Sequence, residues 1–245
     1  MMAAGAAGLG AAGAIAARAR ARRQPPMDPI ANYVTRFRLS HEALRRNLAR
    51  FVDLIDRDEP FDRGAFGDFV RLFDRFLVVH HESEDRVVFP TLRRHGRLKS
   101  TDAAHLDRWG AEHHDVNAAG EALARAGASV RDGGRAGLAD VRRCAEDLAQ
   151  LLTPHLASEE ELFTRDRLAE IIPARAIGEI DREAGKLFRN ERGMPLFYAH
   201  SLRLDEQKQA FASAPWIFRK VILPAMDRRS FSQFRPFVVS AALEA

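Results

Sequence analysis

From Phe66 to Val87 the chain reads FGDFVRLFDRFLVVHHESEDRV. Phe66, Phe69, Phe73 and Leu77 follow one another at three- and four-residue spacing, which puts them on one face of an α-helix. The same face continues into His80, Glu84 and Val87, so a stripe built for burial carries an imidazole and a carboxylate near its end. Three further segments repeat the plan. One reads Val34, Phe37, His41, Leu44, Leu48, Phe51, Ile55, and another reads Trp109, His113, Val116, Gly120, Leu123. The last reads Leu138, Val141, Leu148, Leu152, His155, Glu159, Leu162. No useful stretch of two-residue alternation competes, so strands are not needed.

Breakers separate the stripes: Asp58-Glu59-Pro60, His95-Gly96 and Asp132-Gly133-Gly134. Pro90 is expected to end the second helix, and Pro154 to kink the fourth unless that helix restarts there. Long helices with short connections lie antiparallel, so the expected fold is all-α, an up-down-up-down four-helix bundle. That bundle occupies residues 27–165, after an Ala/Gly/Arg-rich tail at 1–26 that is expected to be disordered. A further helical segment spans 166–245.

A lone histidine in a helical stripe is usually structural, but four in register are testable. In an antiparallel pair, residues equidistant from the turn share a height. The midpoint of His41 and His80 falls between Pro60 and Phe61. That of His80 and His113 falls between Gly96 and Arg97, and that of His113 and His155 at Gly134. Each midpoint lands on a breaker, so at about 1.5 Å rise per residue all four rings lie at one level. Glu84 and Glu159 follow their histidines by four and lie one turn further along the same face.

Two buried, unpaired glutamates would be costly. A pair of cations removes that difficulty, with carboxylates bridging and neutral imidazoles capping. The expected ligands are therefore His41, His80, Glu84, His113, His155 and Glu159, around two metal ions. Mixed N/O donors suit iron or manganese, with zinc not excluded. His81 and His114 are rotated about 100° from their neighbours and are expected in supporting or surface positions. His95, His105 and His200 lie outside the pattern and are expected to be solvated.

The remaining composition narrows the partners. Apolar residues make up 46% and charged residues 29%, which argues for a globular protein. The formal charge of +4 comes almost wholly from Arg, with acidic residues interspersed and no basic block, so nucleic acid is not an expected partner. The single cysteine, Cys144, falls among helical core positions and fits a reducing, cytoplasmic setting. No segment has the apolar run of a transmembrane helix. In the last eighty residues Pro215–Phe218 and Val221–Pro224 are apolar enough to dock on the bundle or on a second copy, making a homo-oligomer. The run from Trp216 to Arg229, basic at Arg219, Lys220, Arg228 and Arg229, also has the makings of a membrane-surface helix. No catalytic motif appears there.

These residues resemble a known family. Ser40-His41-Glu42, His80-His81-Glu82-Ser83-Glu84-Asp85 with Phe89-Pro90, Glu112-His113, and His155-Leu156-Ala157-Ser158-Glu159-Glu160 with Phe163 are similar to the haemerythrin-like, HHE cation-binding domain. The resemblance implies a bridged, non-haem di-iron centre that takes O2, NO or peroxide. An oxygen carrier of that family has a further His one turn after the third-helix ligand, where this chain has Asn117, and an Asp five residues after the fourth-helix His, where this chain has Glu159 at four. The chain fits the bacterial pattern of four His and two Glu better, which favours sensing, reactivity or iron handling over carriage. Competing readings are a peroxidase-like or ferroxidase enzyme at the same centre, a mononuclear zinc bundle and a metal-free structural bundle.

Overall fold

The computed structural model describes residues 28–57, 59–191 and 193–243. The tail at 1–26, Met27 and the breaker residue Asp58 lie outside the described residues. Every regular element among the described residues is helical.

Helix α1 spans Pro29–Asp56 and is opened by Asp28, whose side chain accepts from the Ile30 N–H at 3.0 Å while Pro29 occupies the first turn. Helix α2 spans Arg63–Ser83, capped by Asp62, whose carboxylate accepts from the Ala65 N–H at 3.0 Å. It does not stop at Pro90. A π-helical turn, Glu84–Val88, widens it, and α3, Phe89–His95, resumes in the same line. Proline has no N–H to donate and its ring clashes with the carbonyl four residues back. The widened turn absorbs both penalties, and Pro90 then sits in the first turn of the resumed helix.

Helix α4 spans Ser100–Leu162 but folds back on itself at Gly134, whose φ of 58° and ψ of −135° only glycine adopts readily. Its first arm, 100–133, and second arm, 135–162, supply the third and fourth helices of the bundle. All three connections therefore fall where the histidine midpoints place them. The second arm remains helical through Pro154.

Contacts along the arms fix the packing. The first arm lies against α2 so closely that a Cβ added at Gly67 would come within 2.4 Å of the Gly127 carbonyl oxygen. The second arm lies against α1, where Arg142 pairs with Asp56 and Arg45 with Glu160. The interior divides into two apolar clusters. One holds Leu44, Phe51, Phe73, Leu77, Val116 and Leu152, and the other holds Phe37, Phe89, Trp109, Leu162 and Phe163. The four histidines lie near the boundary between these clusters.

The C-terminal segment joins both. Helices α5 (Arg165–Ile171) and α6 (Ala174–Asn190) place Leu168, Ile171, Ile177 and Ile180 in the second cluster. Helices α7 (Met194–His200), α8 (Leu204–Ala210) and α9 (Leu223–Ser230) build onto the first. Phe197 stands 5.4 Å from Phe69 and 5.2 Å from Phe76 between ring centres. His200, expected in solvent, is buried instead. Its ring bonds the Ser240 carbonyl at 2.6 Å and Asp227 at 2.8 Å and stacks on Phe231, tying the end of the chain to α7 and α9. Its position outside the helical stripes carried no sign of this, because the partners come from a loop and another helix. His95 and His105 are half-buried, beside Glu179 and Trp109. Docking of the Pro215–Pro224 run is partial: Leu223 is buried, whereas Trp216 is 66% exposed and Ile217, Val221 and Ile222 are also exposed. Cys144 is half-buried against the first cluster.

A bidentate pair fastens α8 to α1: the Arg46 guanidinium donates to the two Glu206 oxygens at 2.5 and 2.9 Å. Chiefly through Arg46, and against burial, the Glu206 carboxyl is lowered from its ordinary 4.5 to about 2. A carboxylate lowered on folding contributes stability that is present above its ordinary pKa and lost as pH falls through the folded one. Glu206→Gln is therefore expected to lower the melting temperature at pH 7. The gap to the parent chain should close as pH falls from about 4.5 to about 2, followed by circular dichroism. A gap that stays constant with pH would show that the ion pair adds nothing.

Candidate metal centre

Each arm of the bundle delivers its histidine into the seam between the two apolar clusters. His41, His80, Glu84, His113, His155 and Glu159 are all buried, at 0–3% exposure. His41 and His80 meet edge to face, with ring centres 5.0 Å apart, and His113 and His155 do the same at 5.0 Å. All six residues expected from the sequence are thus brought together, while His114 is exposed as expected.

The donor atoms fall into two groups. His41, His80, Glu84 and Glu159 each offer one atom within 4.8 Å of the others, and His81, His113 and His155 do likewise. The two carboxylates reach across both groups. Glu84 places one oxygen 3.4 Å from His80 Nε2 and the other 3.5 Å from His113 Nε2. Glu159 places one oxygen 3.5 Å from His41 Nε2 and the other 3.4 Å from His155 Nε2. Such separations are long for hydrogen bonds. They approach the spacing of about 3 Å between neighbouring ligands on a small cation with bonds of about 2.1 Å.

The inward atoms lack protein partners. Nε2 of His41, His80, His81, His113 and His155 and all four oxygens of Glu84 and Glu159 are buried without a hydrogen bond. Those nine account for most of the fourteen such side-chain atoms among the described residues, so the deficit belongs to one place rather than to the core at large. A buried polar atom without a partner costs about 1–3 kcal/mol. Nine together in a well-packed seam need a common occupant. Without one, burial first and the Glu159 charge second push the Glu84 carboxyl well above the usual range. Burial likewise holds the His80 and His81 rings well below theirs, in the neutral form that ligates metals. The donors fit bound cations, since positive charge and lone-pair acceptors are what the seam lacks.

The outward nitrogens of three of these rings are held by carboxylates. Nδ1 of His41 bonds Glu160 at 2.9 Å, Nδ1 of His113 bonds Asp85 at 2.9 Å, and Nδ1 of His155 bonds Glu112 at 2.8 Å. Each carboxylate accepts, so each Nδ1 carries a proton, and the neutral ring then keeps its lone pair on Nε2. In two cases one dipeptide does both jobs: Glu84 faces inward while Asp85 holds His113, and Glu159 faces inward while Glu160 holds His41. Burial works against ionisation of Glu160, but hydrogen bonds from His41 and Arg45 outweigh it and lower the carboxyl to about 2.

Of the two positions expected for His81, supporting or surface, the surface one is excluded. The ring is fully buried, stacks on His113 with ring centres 4.1 Å apart, and has its own unpartnered Nε2. The 100° rotation from His80 does not turn it toward solvent. It points instead toward the first arm of α4. A helix surrounded by two neighbours buries a wider arc than a single stripe suggests, and the apolar residues Phe76 and Val79, also buried, were the available sign.

Residues 32–165 match the family model of the hemerythrin HHE cation-binding domain. No curated protein and no solved structure matches the chain.

Proposed function

The chain belongs to the hemerythrin HHE cation-binding family, and we propose that it holds two non-haem iron ions and takes O2, NO or peroxide as its small ligand. In this reading His41, His80, Glu84, His113, His155 and Glu159 are metal ligands. The observation that carries it is that Glu84 and Glu159 each direct one oxygen to each group of histidines. A carboxylate shared in this way belongs between two cations, not on one.

A bound iron pair would supply the electrons and the exchangeable position that such a ligand needs. The chain's own contribution is arrangement. Asp85, Glu112 and Glu160 hold protons on the outer nitrogens of three rings, so that the inner nitrogens are free to donate. Phe37 packs over His41 at 4.3 Å and Phe89 over His113 at 5.8 Å, keeping water from the rings on that side. Phe73, Leu77 and Leu152 close the other side. The one cysteine fits a cytoplasmic setting, and among the described residues no helix is long and apolar enough to cross a membrane.

The test is metal content after production in iron-supplemented cells. About two irons per chain with near-ultraviolet charge-transfer bands is the expected result. One zinc per chain, or a fully folded chain that takes up no metal, would overturn the proposal. Steady turnover of peroxide, set against simple spectral titration with NO, separates the enzyme reading from the binding one.

A further inference from the structure

We infer that His81 is a fifth imidazole ligand, supplied by α2 where the first arm of α4 offers only Asn117. The inference rests on the two-cation reading above and deepens it.

Consecutive residues of α2 serve the two groups of donors. His80 turns toward His41, with ring centres 5.0 Å apart. His81, a helical step of about 100° round, lies flat against His113 at 4.1 Å and edge-on to His155 at 5.6 Å. Its Nε2 is buried and unpartnered, and one of its ring nitrogens lies within 4.8 Å of a nitrogen from each of those two rings. A histidine in the core for packing alone would satisfy both nitrogens from nearby backbone or side chains, as His200 does. His81 satisfies only one.

That one is informative. Nδ1 of His81 lies 2.6 Å from Oδ1 of Asn117. An amide oxygen accepts, so Nδ1 holds the proton and Nε2 keeps the lone pair, as the carboxylates arrange for His41, His113 and His155. Asn117 stands one turn beyond His113 on the same face of the first arm. An imidazole at 117 would extend into the space His81 now fills. The chain therefore reaches three rings on this side by borrowing one from the neighbouring helix, and Asn117 becomes the residue that orients it. The resulting donor sets are unequal: His41 and His80 on one side, and His81, His113 and His155 on the other, with Glu84 and Glu159 shared.

Zinc is the probe for the first experiment, because it is diamagnetic. With the full chain labelled at histidine nitrogen and loaded with zinc, five Nε2 signals should move to the metal-bound region on loading, and four would overturn the assignment. The second experiment exchanges the donor's helix. His81→Ala should weaken uptake of one of the two irons by at least ~10-fold in chelator competition, with thermal unfolding confirming a folded chain. His81→Ala combined with Asn117→His should restore it. Unchanged affinity in His81→Ala, or loss in both variants alike, overturns the assignment. A parent chain that takes up two cations but shows four shifted rings defeats this inference alone. A parent chain that takes up fewer than two defeats the two-cation reading and this inference with it.

Discussion

Glu84→Leu is expected to abolish uptake of both cations while making the metal-free chain more stable. The two effects have one origin. Glu84 brings two oxygens into the seam at 1% exposure, and neither finds a hydrogen-bond partner. In the metal-free state the core bears that deficit with nothing in return, and a leucine of similar volume removes it. Replacing an uncompensated buried acid with a packed apolar side chain should raise unfolding free energy by about 1–3 kcal/mol. For a chain of this size that is a rise of about 2–4 °C in melting temperature per kcal/mol. With metal present the order reverses. Each cation loses an oxygen, because Glu84 faces His80 with one and His113 with the other. Occupancy of both sites should fall together, rather than one site surviving. The measurements are denaturation in chelator, denaturation with iron, and metal content of the purified variant. A variant that keeps one metal at full affinity would show that Glu84 serves one cation only. A metal-free variant less stable than its parent would show that the carboxylate is satisfied by something in the seam.

That trade explains why so much of the centre was legible in sequence. A stripe that breaks its own apolar rule does so against stability, and four stripes breaking it at one height mark a shared purpose. The turns followed from the same arithmetic, since Gly134 and the short links around Pro60 and Gly96 are fixed by where the rings must meet. Two residues escaped for opposite reasons. His81 falls outside the single apolar stripe of α2, because α1 and the first arm of α4 bury adjoining arcs of that helix. His200 carries no mark of burial in the sequence, because its partners Ser240 and Asp227 are brought together only by the tertiary fold. The continuation of α2 past Pro90 was also hidden, since a π-helical turn leaves no periodic trace over five residues. His81 bears on function as well. The absence of an imidazole at Asn117 was the ground for disfavouring reversible carriage. If α2 supplies that donor, the count is restored and the ground falls away, leaving ligand affinity to be decided by measurement.

The outer carboxylates are expected to matter nearly as much as the ligands, and unequally. Glu160→Gln, Asp85→Asn and Glu112→Gln each keep the shape of the side chain and remove only its charge. Losing such a partner typically lowers metal affinity by roughly 10–100-fold. The partners differ in exposure: the Glu160 side chain is 24% exposed, against 42% for Asp85 and 38% for Glu112. Charge acts more strongly where water and salt screen it less. Glu160→Gln should therefore fall at the severe end of that range, and it also frees Arg45, which donates to the same oxygen at 2.8 Å. Asp85→Asn and Glu112→Gln should be milder, and their deficits should shrink as salt is raised. Glu42→Gln is the control, because Glu42 lies beside the centre and pairs with Arg45 and Arg46 without touching a ring. Iron affinity by chelator competition at two salt concentrations decides the matter. If all four variants bind as the parent does, the carboxylates are surface ion pairs that happen to lie over the histidines. If Glu160→Gln alone fails, the charge on the His41 side sets the affinity of the pair, and the exposed partners serve to hold the ring planes of His113 and His155.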